Sequence, residues 1–313
     1  MFDWLKRKPR DETPPWSQIL NARQERRFDE LVNAHLAARG ETARAVGGVV
    51  TLNGSTCGLD NLAQLCHANP PDDWPRLIAE HFDAFERSER ESEEWHARKS
   101  DFAWVAPQLC VRLHVEDFTG ANGEPVAIAD LSLVRDDLPG LATVLVADRP
   151  SSIMTVEREV CATWGRTADE LFAVALVNLA RQHPVTVEPI DLDEEAGIRA
   201  FLLQGEHLFV ASHALRLDAW PELVGAHGTL FAVPTRDTVL AYPIESAAVT
   251  QSLRAMSWFA YRFCADGPGS ILPHLYWRTR DGRFAVMTVA VEENSVALKP
   301  SEEFVELMNA LTG

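Results

Sequence analysis

The stretch Gly228–Tyr242, GTLFAVPTRDTVLAY, decides the fold of this chain. Two apolar runs, Leu230–Val233 and Thr238–Tyr242, flank the polar insert Pro234–Asp237, and this arrangement is typical of a β-hairpin. Proline presets the φ angle that a turn needs, and aspartate can hydrogen-bond to its own backbone there. Because both faces of both runs are apolar, we expect the hairpin inside a sheet that is covered on both sides.

Periodic apolar positions elsewhere predict the helices that cover such a sheet. They are Gln18–Arg39, Leu59–His67, a helix that starts near Asp73, Ala168–Gln182, Val249–Phe263 and a helix after Ser301. Ala168–Gln182 has a clear beginning, because Thr167 and Glu170 have the spacing of a capping box. This helix is apolar nearly all round, with Leu171 on one face and Leu176 beside it. We therefore expect it to be among the most buried helices.

Further apolar runs predict the remaining strands and one more helix. They are a strand Leu141–Ala147, a hairpin of Ile198–Leu203 with Leu208–Ala211, a helix Ser212–Val224, and a hairpin of His274–Thr279 with Arg283–Val291. The expected fold class is α+β, with a mixed or antiparallel sheet that is built from hairpins and covered by amphipathic helices.

The N-terminal third differs in character from the rest of the chain. Charges and prolines make residues 1–16 poor core material, so they are predicted to form a flexible arm. Residues 17–99 are predicted to be a helical region, and its charged end, ERSERESEEWHARK (86–99), is either an exposed helix extension or a linker. Residues 100–313 then form the main α+β domain, either alone or packed with 17–99 as a single unit.

The charge of the chain argues against two classes of partner. The 313 residues carry 46 acidic and 29 basic side chains, a formal net charge of -17. Nucleic-acid binding needs a basic face, and anionic membranes attract basic segments, so we expect neither partner. The beginning MFDWLKRKPR lacks the apolar region of a signal peptide, and no apolar run reaches the length of about 18 residues that predicts a membrane span.

The cysteines predict a reducing, cytoplasmic compartment, because their number is odd and no CxxC occurs. They are Cys57, Cys66, Cys110, Cys161 and Cys264. Cys57, Cys66, His67 and His81 come nearest to a metal cluster, but they lack the paired spacing of a structural zinc site. We predict no metal and no cofactor, since zinc-protease, phosphate-loop, dinucleotide and nucleophile-elbow motifs are all absent from the sequence.

Arg236 and Asp237, at the tip of the hairpin, are the candidate binding residues. Two interpretations fit them: the charges bind an anion or a partner, or they form a structural pair across the turn. Charged turn residues are common and surface pairs contribute little, which favours the structural interpretation. No catalytic residue is identified. The acidic run Asp191–Glu195 lacks the spacing of a calcium loop and is predicted to be an exposed loop.

Four segments carry a resemblance to a known family. They are LDNLAQLCHANPPDDWPRLIAEHFDAF, TADELFAVALVNLARQ, HLFVASHALRLDAWPELVG and GTLFAVPTRDTVLAY, and they span roughly residues 45 to 245. Their order resembles that of the uncharacterised bacterial YtpQ-like family. The resemblance implies a cytoplasmic bacterial protein with an α+β fold, and it implies no activity.

We therefore expect a non-enzymatic protein that binds another protein. The alternative is an enzyme whose site is assembled from residues that are distant in sequence. A cavity lined by titratable groups with perturbed pKa values would favour the alternative.

Overall fold

The computed structural model describes residues 19–52, 54–119, 124–193, 197–266, 269–292 and 295–312. The chain divides into two compact units, one ending at Glu93 and the other beginning at Glu94. The predicted arm, residues 1–16, lies outside the described residues.

In the residues that the structure describes, the first unit contains helices and one hairpin. Its elements are α1 (Ala22–Ala38), β1 (Val49–Leu52), β2 (Ser55–Gly58), α2 (Asp60–Ala68) and α3 (Trp74–Arg98), the last of which continues into the second unit. β1 and β2 pair antiparallel. The charged segment 86–99 therefore lies almost wholly within α3, which decides between the two predictions for it in favour of the helix extension.

Local sequence explains how α1 forms. The Asn21 side chain accepts hydrogen bonds from the backbone N–H groups of Arg23 and Gln24 and completes a capping box. Gly40 follows the helix with φ 78°, a conformation that favours glycine at a helix end. The face that the sequence predicted buries Phe28 and Val32 completely.

The second unit begins with short elements and a four-stranded antiparallel sheet. They are α4 (Phe102–Val105), β3 (Leu109–Val115), β4 (Asp117–Thr119), β5 (Pro125–Ala127), α5 (Ile128–Leu131), β6 (Val134–Leu138), β7 (Leu141–Asp148), β8 (Ile153–Thr155), α6 (Arg158–Thr163) and α7 (Ala168–Gln182). The sheet has the order β3-β7-β6, with β8 also paired to β7, and α7 packs against β3.

A seven-stranded antiparallel sheet completes the second unit. Its elements are β9 (Thr186–Asp193), β10 (Ile198–Gln204), β11 (Thr229–Thr235), β12 (Thr238–Pro243), α8 (Val249–Asp266), β13 (Leu275–Arg278), β14 (Phe284–Glu292), β15 (Ser295–Lys299) and α9 (Glu302–Thr312). The strand order is β15-β14-β13-β11-β12-β10-β9. Helices and antiparallel sheets together confirm the predicted α+β class.

The hairpin β11–β12 lies in the middle of this sheet, as predicted. Phe231 and Val233 face a core shared with the four-stranded sheet, whereas Leu230 and Ala232 face the core under α8. All four side chains are fully buried. The turn is shorter than predicted, because Pro234 still belongs to β11 and sits at an irregularity of the pairing.

The predicted hairpin of Ile198–Leu203 with Leu208–Ala211 is wrong. β10 pairs with β9 and β12, and residues Val210–Ala219 form a 3-10 helix, followed by a second one at Pro221–Leu223. Short buried apolar runs have no distinguishing period, which is why the pattern misled. The two 3-10 helices cover most of Ser212–Val224, so the prediction that this segment is helical is confirmed, with 3-10 geometry.

Helix α7 is less buried than its composition predicted. Its N-terminus has the predicted capping box, and Leu171 is 1% exposed. Val177, however, is 65% exposed, and Leu176 is half-buried. The helix covers only one face of the sheet, so its opposite side faces solvent.

β9 is an edge strand of the larger sheet and carries part of the acidic run. Glu188, Asp191 and Asp193 are exposed along it, with Pro189 in between. The prediction of an acidic loop is therefore wrong for residues 191–193. Residues 194 and 195 lie outside the described part of the chain.

Candidate functional site

A cavity of about 250 Å³ opens on one face of the four-stranded sheet. Its lining residues are Arg112, His114, Ile128, Leu131, Val144, Val146, Ile153 and Thr155. Aliphatic side chains thus form most of the wall, and the polar side chains are few. This composition is typical of a small-molecule site.

Strand pairing explains why these side chains meet. Side chains of directly paired residues point to the same face of a sheet. Arg112 of β3 pairs with Val144 of β7, and Val146 of β7 pairs with Thr155 of β8. Because side chains alternate, His114 lies on the same face two residues beyond Arg112.

Helix α5 forms the remaining wall of the cavity. Ile128 is buried, and Leu131 is 46% exposed near the opening. Thr155 is exposed and adds a hydroxyl to the lining of the cavity. The cavity therefore has an arginine and a histidine of one strand in its wall, and aliphatic side chains form most of the remainder.

Arg112 is the unusual group in this cavity. No hydrogen bond or ion pair joins its side chain to any residue that the structure describes, and its Nε atom is buried without a partner. Burial, and then the charge of Arg236, lower the pKa of Arg112. The cavity walls, as far as they are described, contain no acidic side chain. A guanidinium in this position can form an ion pair with a bound anion.

His114 lies beside Arg112 with a defined ring orientation. Its Nδ1 lies 2.8 Å from the backbone carbonyl oxygen of Val115, so Nδ1 carries the proton and donates it. In the neutral ring, Nε2 is then the basic nitrogen. The described lining residues offer this imidazole and one hydroxyl, but no thiol or carboxylate. The arrangement is better suited to binding an anion than to nucleophilic catalysis.

The predicted candidates Arg236 and Asp237 do not behave as exposed turn charges. Both residues are half-buried. Asp237 Oδ1 accepts hydrogen bonds from the hydroxyls of Thr235 at 2.6 Å and Thr238 at 3.3 Å. Arg236 does not pair with Asp237; its Nε is buried and meets no partner among the described residues. Asp237 therefore stabilises the turn, while Arg236 forms no ion pair among the residues that the structure describes.

The residues that come nearest to a metal motif give no metal site. Cys57 Sγ and His81 Nε2 lie 3.6 Å apart in the first unit. Over the described ranges, no three His, Cys, Asp or Glu side chains are grouped to hold a metal ion. Burial raises the pKa of the Cys57 thiol and lowers that of the His81 imidazole, so both are neutral near pH 7.

A histidine cluster in the second unit was missed by the sequence analysis. His183 Nε2 lies 2.8 Å from Asp148 Oδ2, and the rings of His183 and His207 lie 5.0 Å apart. His213 Nε2 donates to the carbonyl oxygen of His183. Burial lowers the pKa of His213 to about 4. These imidazoles fasten backbone segments to one another.

The signal for the cavity was present in the sequence LCVRLHV of β3. Arginine and histidine two positions apart in an otherwise apolar strand place polar groups on one face. The sequence does not show that β7, β8 and α5 close around that face, because these contacts join residues distant in the chain. The described helices include none that is long and apolar enough to cross a bilayer.

Comparisons with known proteins leave the chain unassigned to a family. No family model matches it, and neither a curated protein nor a solved structure does. The resemblance to the YtpQ-like family therefore remains a prediction.

Proposed function

We propose that this chain binds a small organic anion, with its acidic group at Arg112 and its apolar body along the aliphatic wall of the cavity. The observation that carries this proposal is the cavity-lining Arg112, whose side chain has no partner among the described residues. A carboxylate or a phosphate is the natural counterpart of a guanidinium.

The energetics support a ligand anion rather than a structural role for Arg112. Arg112 is half-buried, and a charge that is partly withdrawn from water without a partner is costly, whereas a well-packed apolar side chain in the same place is often more stable. The chain has an acidic excess, yet no carboxylate lies at Arg112 within the described residues. An anionic ligand supplies the missing partner and offsets that cost.

The experiment compares octanoate with octanol, which has the same chain and no charge. Isothermal titration calorimetry on the whole protein measures both affinities. We expect octanoate to bind more tightly than octanol, and Arg112→Gln to weaken octanoate by about tenfold or more, since hydrogen bonds between ions are worth ~1.5–3 kcal/mol. Octanol binding should change little.

The matched control is Arg199→Gln, which also removes one arginine from a strand. Arg199 is exposed and pairs with Asp191 on the other sheet. This variant should bind octanoate like the unaltered protein. If Arg112→Gln binds octanoate as tightly as the control, or if no octanoate binds to the unaltered protein, the proposal is wrong.

Binding to another protein is a second candidate, because α8 exposes aromatic side chains. Trp258 is 45% exposed and stacks on Tyr261 at 5.8 Å, and Phe263 is 39% exposed and stacks on Phe259 at 4.1 Å. Exposed aromatic groups are enriched where proteins bind one another. We also propose that the protein is cytoplasmic. This proposal rests on the cysteines, whose number is odd and which form no CxxC motif.

This candidate predicts that a partner from the native host co-purifies with the protein and is lost in Trp258→Ala. Leu65→Ala is the control, since Leu65 is an equally exposed apolar residue of the first unit at 45%. Retention of the partner by Trp258→Ala, or its loss in both variants, would rule out α8 as the binding surface.

A further inference from the structure

His207 joins two segments of the second unit that are distant in the chain. Its Nε2 donates to the carbonyl oxygen of Pro184 at 3.0 Å, and its Nδ1 accepts from the backbone N–H of Phe209 at 3.2 Å. One ring nitrogen is thus a donor and the other an acceptor, a combination that only the neutral imidazole offers. A proton on Nδ1 would turn the acceptor into a second donor and break the bond to Phe209.

His213 makes a second connection between the same segments. Its Nε2 donates to the carbonyl oxygen of His183, the residue that follows α7, at 2.7 Å. His213 is 1% exposed, and its Nδ1 is buried without a partner among the described residues. A proton on Nδ1 would create a buried charge and a buried N–H group without an acceptor, and both are costly. The closed arrangement therefore requires this ring to be neutral as well.

The charges around the two rings offset their burial only in part. Arg216, on the same 3-10 helix as His213, repels a positive charge on that ring, and the histidines of the cluster repel one another once they are charged. Asp148 of β7 attracts a positive charge on His207, but its Oδ2 already lies 2.8 Å from His183 Nε2. Burial remains the largest influence on both rings, and it lowers the pKa of His207 below 6.5 and that of His213 to about 4.

The segment that these imidazoles hold also supports the cavity strand β3. It consists of residues 205–219, which include the longer 3-10 helix, and we call it the latch segment. The 3-10 helix packs against β3, β11 and β12, and these strands contribute apolar side chains to the shared core, among them Leu113 and Phe231. The backbone N–H of Ala211 also donates to Arg236 O at 3.1 Å. Release of the latch segment would therefore remove support from β3 and from the tip of the β11–β12 hairpin.

We infer that His207 and His213 form an acid-released latch: while both rings are neutral they hold the latch segment against the end of α7, and when they take up protons they free it. Opening exposes the rings to water, where their pKa values return toward the ordinary value of about 6.5. The open form then binds protons that the closed form excludes. Below about pH 6.5, each ring that charges on opening raises the opening equilibrium constant by up to about tenfold per pH unit. Above about pH 7.5 both rings are neutral in either form, and the latch stays closed whether or not the cavity holds an anion.

Hydrogen exchange of the whole protein, followed by mass spectrometry between about pH 7.5 and about pH 4.5, tests the latch. The exchange rate of each peptide, divided by the intrinsic chemical rate at the same pH, gives its opening constant. The opening constant of the latch segment should rise by more than about tenfold over this range. Helix α8, which contains no histidine, is the internal reference, and its opening constant should change by less than about threefold.

Two substitutions replace the rings by side chains that do not titrate. His213→Gln keeps an amide N–H near the position of Nε2, and His207→Asn keeps an oxygen acceptor near that of Nδ1. Each variant should lower the pH dependence of opening, and the double variant should lose most of it. The matched control is His67→Gln, which removes an exposed histidine of the first unit and should open like the unaltered protein. Circular dichroism melting at about pH 7.5 verifies that each variant is folded.

Three results would overturn the latch. They are an opening constant of the latch segment that stays the same across the pH range, an equal rise in α8, and a rise in the folded double variant as steep as in His67→Gln. A single variant whose latch segment is already open at about pH 7.5 would support the holding role of the substituted ring. The other single variant then decides whether acid acts through the histidines.

Discussion

Asn178 offers a sharp test of how α7 is attached to the sheet. This side chain is 6% exposed, and its Nδ2 donates to the carbonyl oxygens of Ala106 and Leu109, both at 2.8 Å. Ala106 lies just before β3, and Leu109 is its first residue, three positions before Arg112. Asparagine is usually an exposed residue. We expect Asn178→Ala to lower the free energy of unfolding by far more than the same substitution at an exposed position.

The magnitude follows from the two hydrogen bonds to backbone carbonyls that are lost; the substitution also removes the bond that Asn178 Oδ1 accepts from Arg181 Nη2 at 3.1 Å. Each contributes ~1 kcal/mol net, and a buried carbonyl left without a donor costs ~1–3 kcal/mol unless water reaches it. With one of the two carbonyls reached by water, the free energy of unfolding should fall by about 2–4 kcal/mol.

Gln182→Ala is the matched control on the same helix. Gln182 is exposed, and its Nε2 donates to the carbonyl oxygen of Pro107 at 2.8 Å, so it makes the same kind of bond to the same segment in contact with water. It should cost no more than about 0.5 kcal/mol.

Urea unfolding followed by circular dichroism measures both losses as shifts of the transition. If Asn178→Ala costs less than about 1 kcal/mol, or no more than Gln182→Ala, then water replaces the amide and the reasoning is refuted.

Four further predictions concern packing, capping, titration and thiol reactivity. Leu171→Ala should cost about 2–5 kcal/mol because its side chain is buried, whereas the exposed Val177→Ala should cost no more than about 0.5 kcal/mol; equal losses in urea unfolding would contradict this. Thr167→Ala should cost about 1 kcal/mol by removing the cap of α7, and an unchanged melting temperature would show that the cap is dispensable. Burial holds the pKa of His213 at about 4, below its usual 6.5, so the free energy of unfolding should fall as pH drops from about 6.5 to about 4, by at most ~1.4 kcal/mol per pH unit; His213→Gln should show a shallower slope. Burial raises the pKa of Cys110 to about 12, so this thiol should react with a thiol reagent only after unfolding, when all five thiols of the chain should titrate; a stable zinc content near one per chain would contradict this.

The hairpin in Gly228–Tyr242 was predictable because its information is local. Alternating apolar side chains define two faces, and a polar insert marks the turn. The burial of the two turn residues was not predictable. Arg236 and Asp237 are both half-buried, and Gly269 and Ala211, which contact Arg236, approach from distant parts of the chain.

The cavity shows the same limit more strongly. The sequence of β3 alone shows that Arg112 and His114 lie on one face of the strand, because side chains alternate between the two faces. The lack of a carboxylate near Arg112 is a property of the surrounding elements, and it becomes visible only when β7, β8 and α5 are in place. Burial of Asn178 was hidden for a similar reason, since its partners Ala106 and Leu109 are about 70 residues away in the sequence and meet α7 only in the fold.

The edge strand β9 has a consequence for how this protein behaves at high concentration. Unpaired backbone groups at the edge of a sheet invite strand addition by another molecule. Glu188, Asp191 and Asp193 bring like charges together when two such edges approach, and Pro189 removes one backbone donor. In a chain with a net charge of -17, these features oppose edge-to-edge aggregation. Replacement of the three acidic residues by neutral ones should therefore lower the solubility of the protein while the fold of the single molecule is still unchanged.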